Sequence, residues 1–473
     1  MLNTKLIKVL GLSIALMSST AGAMSLDWSG GYRAEWTEVD KPTLGSPSGR
    51  KSYATNFLYL SPKIIAADGI NINTRFDILT NSFYQNSQLG EIWGLNNNSP
   101  VVTAQNQGSS AVRVSQLYLT VNQEYGALMV GRVPWEFGIG MTYNAGKGAF
   151  DHWYDTRDMI AYKIVVGDWF VMPMLGRQQS QDFGQGNTIS TLGVQLQYEN
   201  AENKSLIGVM METKKGANTV LDYTTSQMNA YGANPAAAKN SLNETTTSFV
   251  LGRGFDSFGF KVEASFLQGE TGLVDIYGSD VRLSGYGIAA ELYFPQAQSK
   301  WDWKVKLGMA TGDDPSSTGF GGFAFDKNYD VGILLFNHRL GGADFLQTDT
   351  VKQSTGSNGS ALSVGNSADD ESVSNAVYLA PSVNYTWTDK LDFRNTIVWA
   401  QLLNTQKNSV DAKKDLGLEW DIELVYKPHE RIQWVNQIGL LFPGEAWKNG
   451  TGAGGNLSND FTFGLASKAA ISF

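Results

Sequence analysis

The chain has 473 residues, no cysteine, 51 glycines, 12% aromatic and only 17% charged side chains. The absence of cysteine excludes disulfides and thiolate metal sites, and the charge fraction falls below the ~25% usual for soluble domains. A formal charge of −9 disfavours a nucleic-acid partner, whose phosphates need a basic face.

Lys5 and Lys8 flank the start of an apolar run from Leu6 to Met17, and Ala21-Gly22-Ala23 supplies an A-x-A cleavage site. This is the pattern of a secretory signal peptide over 1–23. Its removal leaves 24–473 with a charge of −11 and no lipoprotein cysteine. No later run of eighteen apolar residues marks a transmembrane helix.

From Leu26 the pattern is alternation. Leu26, Trp28, Gly30, Tyr32, Ala34 and Trp36 share one parity, with Asp27, Ser29, Gly31, Arg33, Glu35 and Thr37 on the other. Successive strand side chains point to opposite faces, so this is a strand with one apolar and one polar face. At ~3.3 Å per residue and a tilt of roughly 40°, Trp28 and Trp36 stand about 20 Å apart along a membrane normal, close to the ~25 Å apolar band of an outer-membrane barrel. The pattern recurs at 70–78, 258–266, 301–309, 416–426 and, last, 460–473, where Phe461, Phe463, Leu465, Ala469, Ile471 and Phe473 share a face. Weaker candidates lie near 53–66, 111–122, 127–133, 158–166, 169–177, 190–198, 205–212, 247–253, 283–294, 375–387, 391–403 and 432–441, which brings the strands to about eighteen.

Short connections alternate with long ones throughout. Tight turns such as Asp68-Gly69 and Gly167-Asp168 separate long loops near 38–52, 80–110, 134–157, 213–246 and 312–374. A soluble sandwich has no reason to sort its loops this way. The expectation is an all-β fold: a transmembrane antiparallel β-barrel over 24–473 with short periplasmic turns and long extracellular loops in a bacterial outer membrane, its apolar faces against outer-membrane lipid. Within 312–374, Phe320 to Leu340 is too apolar for a solvated loop. It is expected to enter or cap the barrel, or else to add a hairpin.

The inward parity carries nine acids, Asp27, Glu35, Asp77, Glu263, Glu291, Asp302, Glu419, Asp421 and Glu423, against seven bases, Arg33, Arg75, Lys261, Lys304, Lys306, Lys427 and Lys468. A charge facing lipid at the midplane costs about 2–4 kcal/mol, so these must face water. They read either as a selectivity field along a pore or as ion pairs bracing the wall. Arg132, Arg157 and Asp158 flank the 134–157 loop. If that loop folds inward, they are candidates for a charged ring at a constriction.

Catalytic and cofactor signals are thin. Asp151, His152 and Asp155 could form a hydrolytic couple, but a polar loop is the simpler reading. Gly450, Gly452 and Gly455 match G-x-G-x-x-G without the βαβ context that gives it meaning. Asp313-Asp314 and Asp369-Asp370-Glu371 are loop acids that could meet calcium, with solvated charge the default. No cofactor and no enzymatic activity is expected.

At 415–447, DLGLEWDIELVYKPHERIQWVNQIGLLFPGEAW resembles the penultimate hairpin of the alginate-export porin family of outer-membrane barrels. The match rests on Asp415-Leu416-Gly417-x-Glu419-x-Asp421, Tyr426 and Phe442-Pro443-Gly444-Glu445, with Gly131-Arg132 similar to an early Gly-Arg segment. GRVPWEFGIGMTYNAGKGAFDHWYDTRD and FAFDKNYDVGILLF look like porin-like barrels of delta-proteobacterial type. The resemblance implies an eighteen-stranded barrel, and Phe473 resembles the terminus read by the barrel-assembly machinery. Alginate export would need a basic conduit, from which this mixed interior departs. The expected function is passive diffusion of small polar solutes. The alternative is a plugged barrel whose loops bind a surface partner.

Overall fold

The computed structural model describes residues 25–45, 49–78, 87–88, 112–179, 188–217, 241–274, 280–296, 299–313, 319–341, 346, 371–405, 413–449 and 457–473. The signal-peptide region and Gly450, Gly452 and Gly455 lie outside them.

Eighteen antiparallel strands close into a barrel. In chain order they are Gly30–Val39, Lys51–Leu60, Ile70–Ile78, Val112–Gln123, Gly126–Pro134, Thr156–Val166, Trp169–Gln179, Thr188–Asn200, Ser205–Ala217, Ser241–Gly254, Gly259–Val274, Tyr286–Phe294, Trp301–Ala310, Ala376–Thr388, Leu391–Leu402, Asp415–His429, Ile432–Pro443 and Thr462–Ser472. Short segments extend this wall: Ser25–Asp27 pairs with Lys63–Ala67, and Asp280–Leu283 and Ser87–Gln88 add to neighbouring strands. Each strand otherwise pairs with the next in chain order, so every ladder joins consecutive strands except one. That one is the seam, where Gly30–Val39 meets Thr462–Ser472 in register from Gly31↔Ser472 to Val39↔Gly464. Gly30 and Phe473 exchange backbone hydrogen bonds of 2.9 and 3.0 Å at its end. Closure satisfies the two edges that an open sheet would leave unpaired.

The parity read from sequence holds along the wall. Tyr32 and Trp36 are exposed, while Arg33, Glu35, Thr37 and Val39 on the other parity are buried. Outward aromatics ring the barrel, among them Trp28, Trp301, Trp303, Trp387, Trp434, Phe461 and Phe473. Eight tight turns, from Asp68-Gly69 to Glu430-Arg431, cluster at one end with the seam's Gly30 and Phe473.

The strand Asp415–His429 departs from strict alternation. Leu416 shares a parity with the outward Leu418 and Trp420 in sequence, yet it is fully buried in the interior cluster. A register shift between Ala400 and Gln401 on the neighbouring strand marks a bulge at Gly417, whose φ is +107°. One extra residue flips the parity beyond it. Trp447, on the five-residue helix Glu445–Asn449, donates its indole N–H to the Leu416 carbonyl at 2.9 Å and closes this corner. A Cβ at Gly417 would sit 2.1 Å from the Phe442 oxygen. Gly417→Val should therefore lower the yield of folded barrel, read as loss of the faster-migrating, heat-modifiable band in an unheated denaturing gel, while Leu418→Val on the regular side leaves that band unchanged.

Candidate functional site

Two segments that leave the wall as loops run back inside the barrel. The first is 135–155, between Gly126–Pro134 and Thr156–Val166; the second is 319–341, after Trp301–Ala310. The first buries Trp135, Phe137, Met141 and Tyr143, and the second buries Phe323, Phe325, Tyr329, Leu334, Leu335 and Phe336. The described residues of the second contribute no strand to the wall.

An irregular segment inside a barrel must find partners for its amides. Here wall carboxylates supply them. Glu263 accepts the amides of Ile139, Met141 and Thr142 at 2.8, 3.3 and 3.1 Å. Glu419 accepts those of Leu334 and Leu335 at 2.6 and 2.7 Å, and Asp421 accepts that of Ile333 at 3.3 Å. Successive amides turned on one carboxyl group form a nest of donors around it.

Side chains fix the rest of the first insert. His152 Nε2 lies 2.9 Å from Glu35, itself paired with Arg33 at 2.9 Å. Arg33 also donates to the Asp151 carbonyl. Tyr154 donates its hydroxyl to Asp77 at 2.9 Å, and Asp77 pairs with Arg75 at 2.8 Å. Glu212 receives Arg157 and the Tyr143 hydroxyl, both at 2.8 Å. Burial, then the adjacent Glu212 carboxylate, pushes the Tyr143 phenol well above its usual range and keeps it a donor.

The second insert packs where the wall is small. Gly287, Ala289, Ala310, Ala380 and Gly464 face inward along its path, and a Cβ at Gly287 or Gly464 would meet Phe323 or Leu334 at 2.7–2.8 Å. Asn328 joins the two inserts. Its side-chain amide accepts from the Trp153 N–H at 3.1 Å and donates to the Trp153 carbonyl at 2.8 Å, as a backbone bridge would. Asp326 N–H donates to the Met141 carbonyl at 2.7 Å, and the Lys327 ammonium lies 4.4 Å from the Trp153 ring centre.

Of the residues singled out from sequence, Arg33, Glu35, Arg75, Asp77, Arg157, Glu263, Glu419 and Asp421 come together as the supports of the inserts. Lys304 and Lys306 reach Glu291 at 3.1 and 3.8 Å, and Glu423 lies 3.5 Å from Arg394. Lys261 faces inward and is exposed. Arg132 and Asp158 are elsewhere. They form a bidentate pair, 2.7 Å at each contact, on the outer wall in line with the exposed Leu117. Flanking an inward loop does not decide parity, because Arg157 points inward and its neighbour must point out. A mutually neutralised pair at the strand ends is affordable there, where an outward charge costs about 0–1 kcal/mol.

Asp151, His152 and Asp155 serve the same scaffold. Asp151 accepts the Gly148 amide at 2.7 Å, and Asp155 accepts that of Asn144 at 3.2 Å and lies 3.7 Å from Arg157. Asp313 accepts the Gly321 amide at 3.0 Å; Asp314, Asp369 and Asp370 lie outside the described residues. Sequence reasoning missed Tyr143, Tyr154 and Asn328. The one available signal was the concentration of aromatic and amide residues in loops expected to be merely polar.

Glu263→Ala should strip three amides of their acceptor at once. Leaving a buried amide without an acceptor costs about 1–3 kcal/mol, so hydrogen-exchange protection at Ile139, Met141 and Thr142 should fall at least ~tenfold, with a smaller fall in Glu263→Gln. Unchanged exchange in the alanine variant would show that the insert is held by packing alone.

No protein-family model matches the chain, and no curated protein matches it by sequence. Among solved structures it is similar to Pseudomonas aeruginosa OccK2 (OpdF) in complex with glucuronate, at 10% identity and a TM-score of 0.51 over 95% of this chain and 98% of that one. A BenF-like porin from Pseudomonas fluorescens Pf-5 matches at 9% identity and 0.49, over 95% and 98%. The outer membrane channel DcaP of Acinetobacter baumannii matches at 12% and 0.42, over 96% and 99%. At such identity the OccK2 match speaks to fold alone: the chain has the closed eighteen-stranded barrel architecture of a porin.

Proposed function

We propose that this protein is a bacterial outer-membrane channel through which small polar solutes diffuse passively, with the two joined inserts as its constriction. The observation that carries the reading is the pairing of an apolar outer wall with an interior that is charged, hydrogen-bonded to the inserts and still hollow. On the tight-turn side of the inserts lie cavities of about 620 and 370 Å³. The larger is lined by Lys304, Lys306, Arg394 and Lys468 facing Asp302, Asp421 and Glu423. Opposed charges across a wet space filter solutes by size and charge distribution rather than by net sign alone. The candidate pore-lining set therefore divides. Lys261, Lys304, Lys306 and Glu423 act on solute directly, and Arg33, Glu35, Arg75, Asp77, Arg157, Glu263, Glu419 and Asp421 act by holding the constriction.

One observation favours the second reading, a plugged barrel: the aromatic core of 319–341 is buried in one cluster with the inner wall, Leu334 and Leu335 almost fully. The resemblance of 415–447 to the alginate-export family supports the barrel, but its acids Glu419 and Asp421 hold an insert, so a polyanion is not the solute proposed. The struts formed by Asp151, His152 and Asp155 support a channel rather than a hydrolase. Phe473, exposed at the seam, is the contact proposed for the barrel-assembly machinery.

In planar bilayers the purified protein should give stepwise single-channel currents. Asn328→Ala, which unties the inserts, should raise conductance or its fluctuations without loss of folded barrel. A folded protein that stays silent until 319–341 is deleted would establish the plugged reading instead. Phe473→Asp should reduce the amount of assembled barrel in the outer membrane and leave the conductance of assembled molecules unaltered.

A further inference from the structure

One sector of the wall breaks the polar-inward rule. Met129, Met159, Phe170, Met172 and Leu206, from four strands, all face a cavity of about 680 Å³ on the tight-turn side of the first insert, with Trp135 and Phe137 of that insert beside them. An apolar inner face has no use in holding water. Part of this sector seats the insert, but these side chains also border open space, of a volume typical of small-molecule sites.

The rest of the cavity is polar and unbalanced. Gln195 donates to Gln197 at 3.0 Å, and Gln197 donates to Glu199 at 3.3 Å, making a short amide ladder. The neighbouring acids are engaged: Glu199 by Gln197, Glu291 by Lys304 at 3.1 Å and Glu136 by Lys147 at 2.5 Å. The cations have no acidic partner among the described residues. Lys163 lies 4.0 Å from the Phe170 ring centre, Lys261 is exposed to the interior, and neither forms an ion pair with a described residue. Trp135 is 2% exposed, and its indole N–H has no acceptor among the described residues. A buried donor without a partner is costly.

We propose that this cavity is a binding site for a small amphiphile: a flexible apolar chain ending in one carboxylate. The chain lies along the methionines, whose unbranched thioethers adapt to an irregular guest, and the head pairs with Lys261, which lines the same cavity. A ligand with either part missing leaves half of the site unmatched. The channel reading explains how such a solute reaches the cavity, and the inference rests on it only in that respect.

The test uses the full barrel in lipid nanodiscs and saturation-transfer NMR with butyrate, hexanoate and octanoate, the signal of empty nanodiscs being subtracted. Burial of one methylene tightens binding about three- to fourfold, so affinity should climb roughly tenfold from hexanoate to octanoate. Lys261→Gln should weaken octanoate at least ~tenfold and leave 1-octanol unaffected, and Met172→Gln should flatten the dependence on chain length. Should Met172→Gln fail to give heat-modifiable barrel, Met129→Gln takes its place. Binding that ignores chain length, or that survives both substitutions in folded protein, overturns the proposal. Conduction is not part of the readout: octanoate binding by a silent barrel would sink only the channel, and conduction without octanoate binding would sink only this site.

Discussion

The interior of this barrel depends on one kind of contact, a wall carboxylate turned toward the backbone amides of a segment that has no secondary structure. A loop threaded through the interior gives up its hydrogen bonds to water and has no ladder to join. Glu263 replaces water for three consecutive-turn amides of the first insert, and Glu419 with Asp421 does so for the second. The wall acids in turn are desolvated, and a buried polar group is costly unless its lone pairs are occupied. Each therefore requires the other. A barrel without the inserts would leave acids unmatched, and inserts without the acids would leave amides unmatched.

This changes the meaning of the interior charges. Counted along the sequence, the inward parity is a mixed field that a solute would meet. In the folded chain most of its acids are already occupied, among them Glu35 by His152 and Arg33, Asp77 by Tyr154 and Arg75, and Glu291 by Lys304 and Lys306. Lys304, Lys306 and Glu423 pair with neighbours in the wall and still line the larger cavity on the tight-turn side. The same logic separates the two inserts. The first is held by polar struts to the wall, whereas the second relies on aromatic packing into a Gly- and Ala-lined sector, with Asn328 tying them together.

Alternation made the wall legible before any coordinates. A strand's period of two is a local property, repeated in every segment, and short and long connections follow from which end of the barrel they close. The first and last strands could be matched because closure demands a partner for both edges. The bulge at Gly417 was not legible. It moves Leu416 from the outer to the inner face through a single positive φ, which leaves no mark on the hydrophobic pattern. Arg132 and Asp158 failed for the related reason that adjacency to an inward loop says nothing about which face a side chain takes.

The sequence by itself determined a closed wall of about eighteen strands, its closing seam, its two faces and the presence of loop segments too apolar for solvent. It did so because these features rest on local periodicity and on the composition of short windows. Which carboxylate holds which amides, that His152 meets Glu35 across 117 positions, and that methionines from separate strands border one cavity were decided only by the tertiary structure. Those contacts join residues far apart in the chain, and their pairing is set by strand register and loop path. Neither quantity has a signature in the residues on one side of the contact alone.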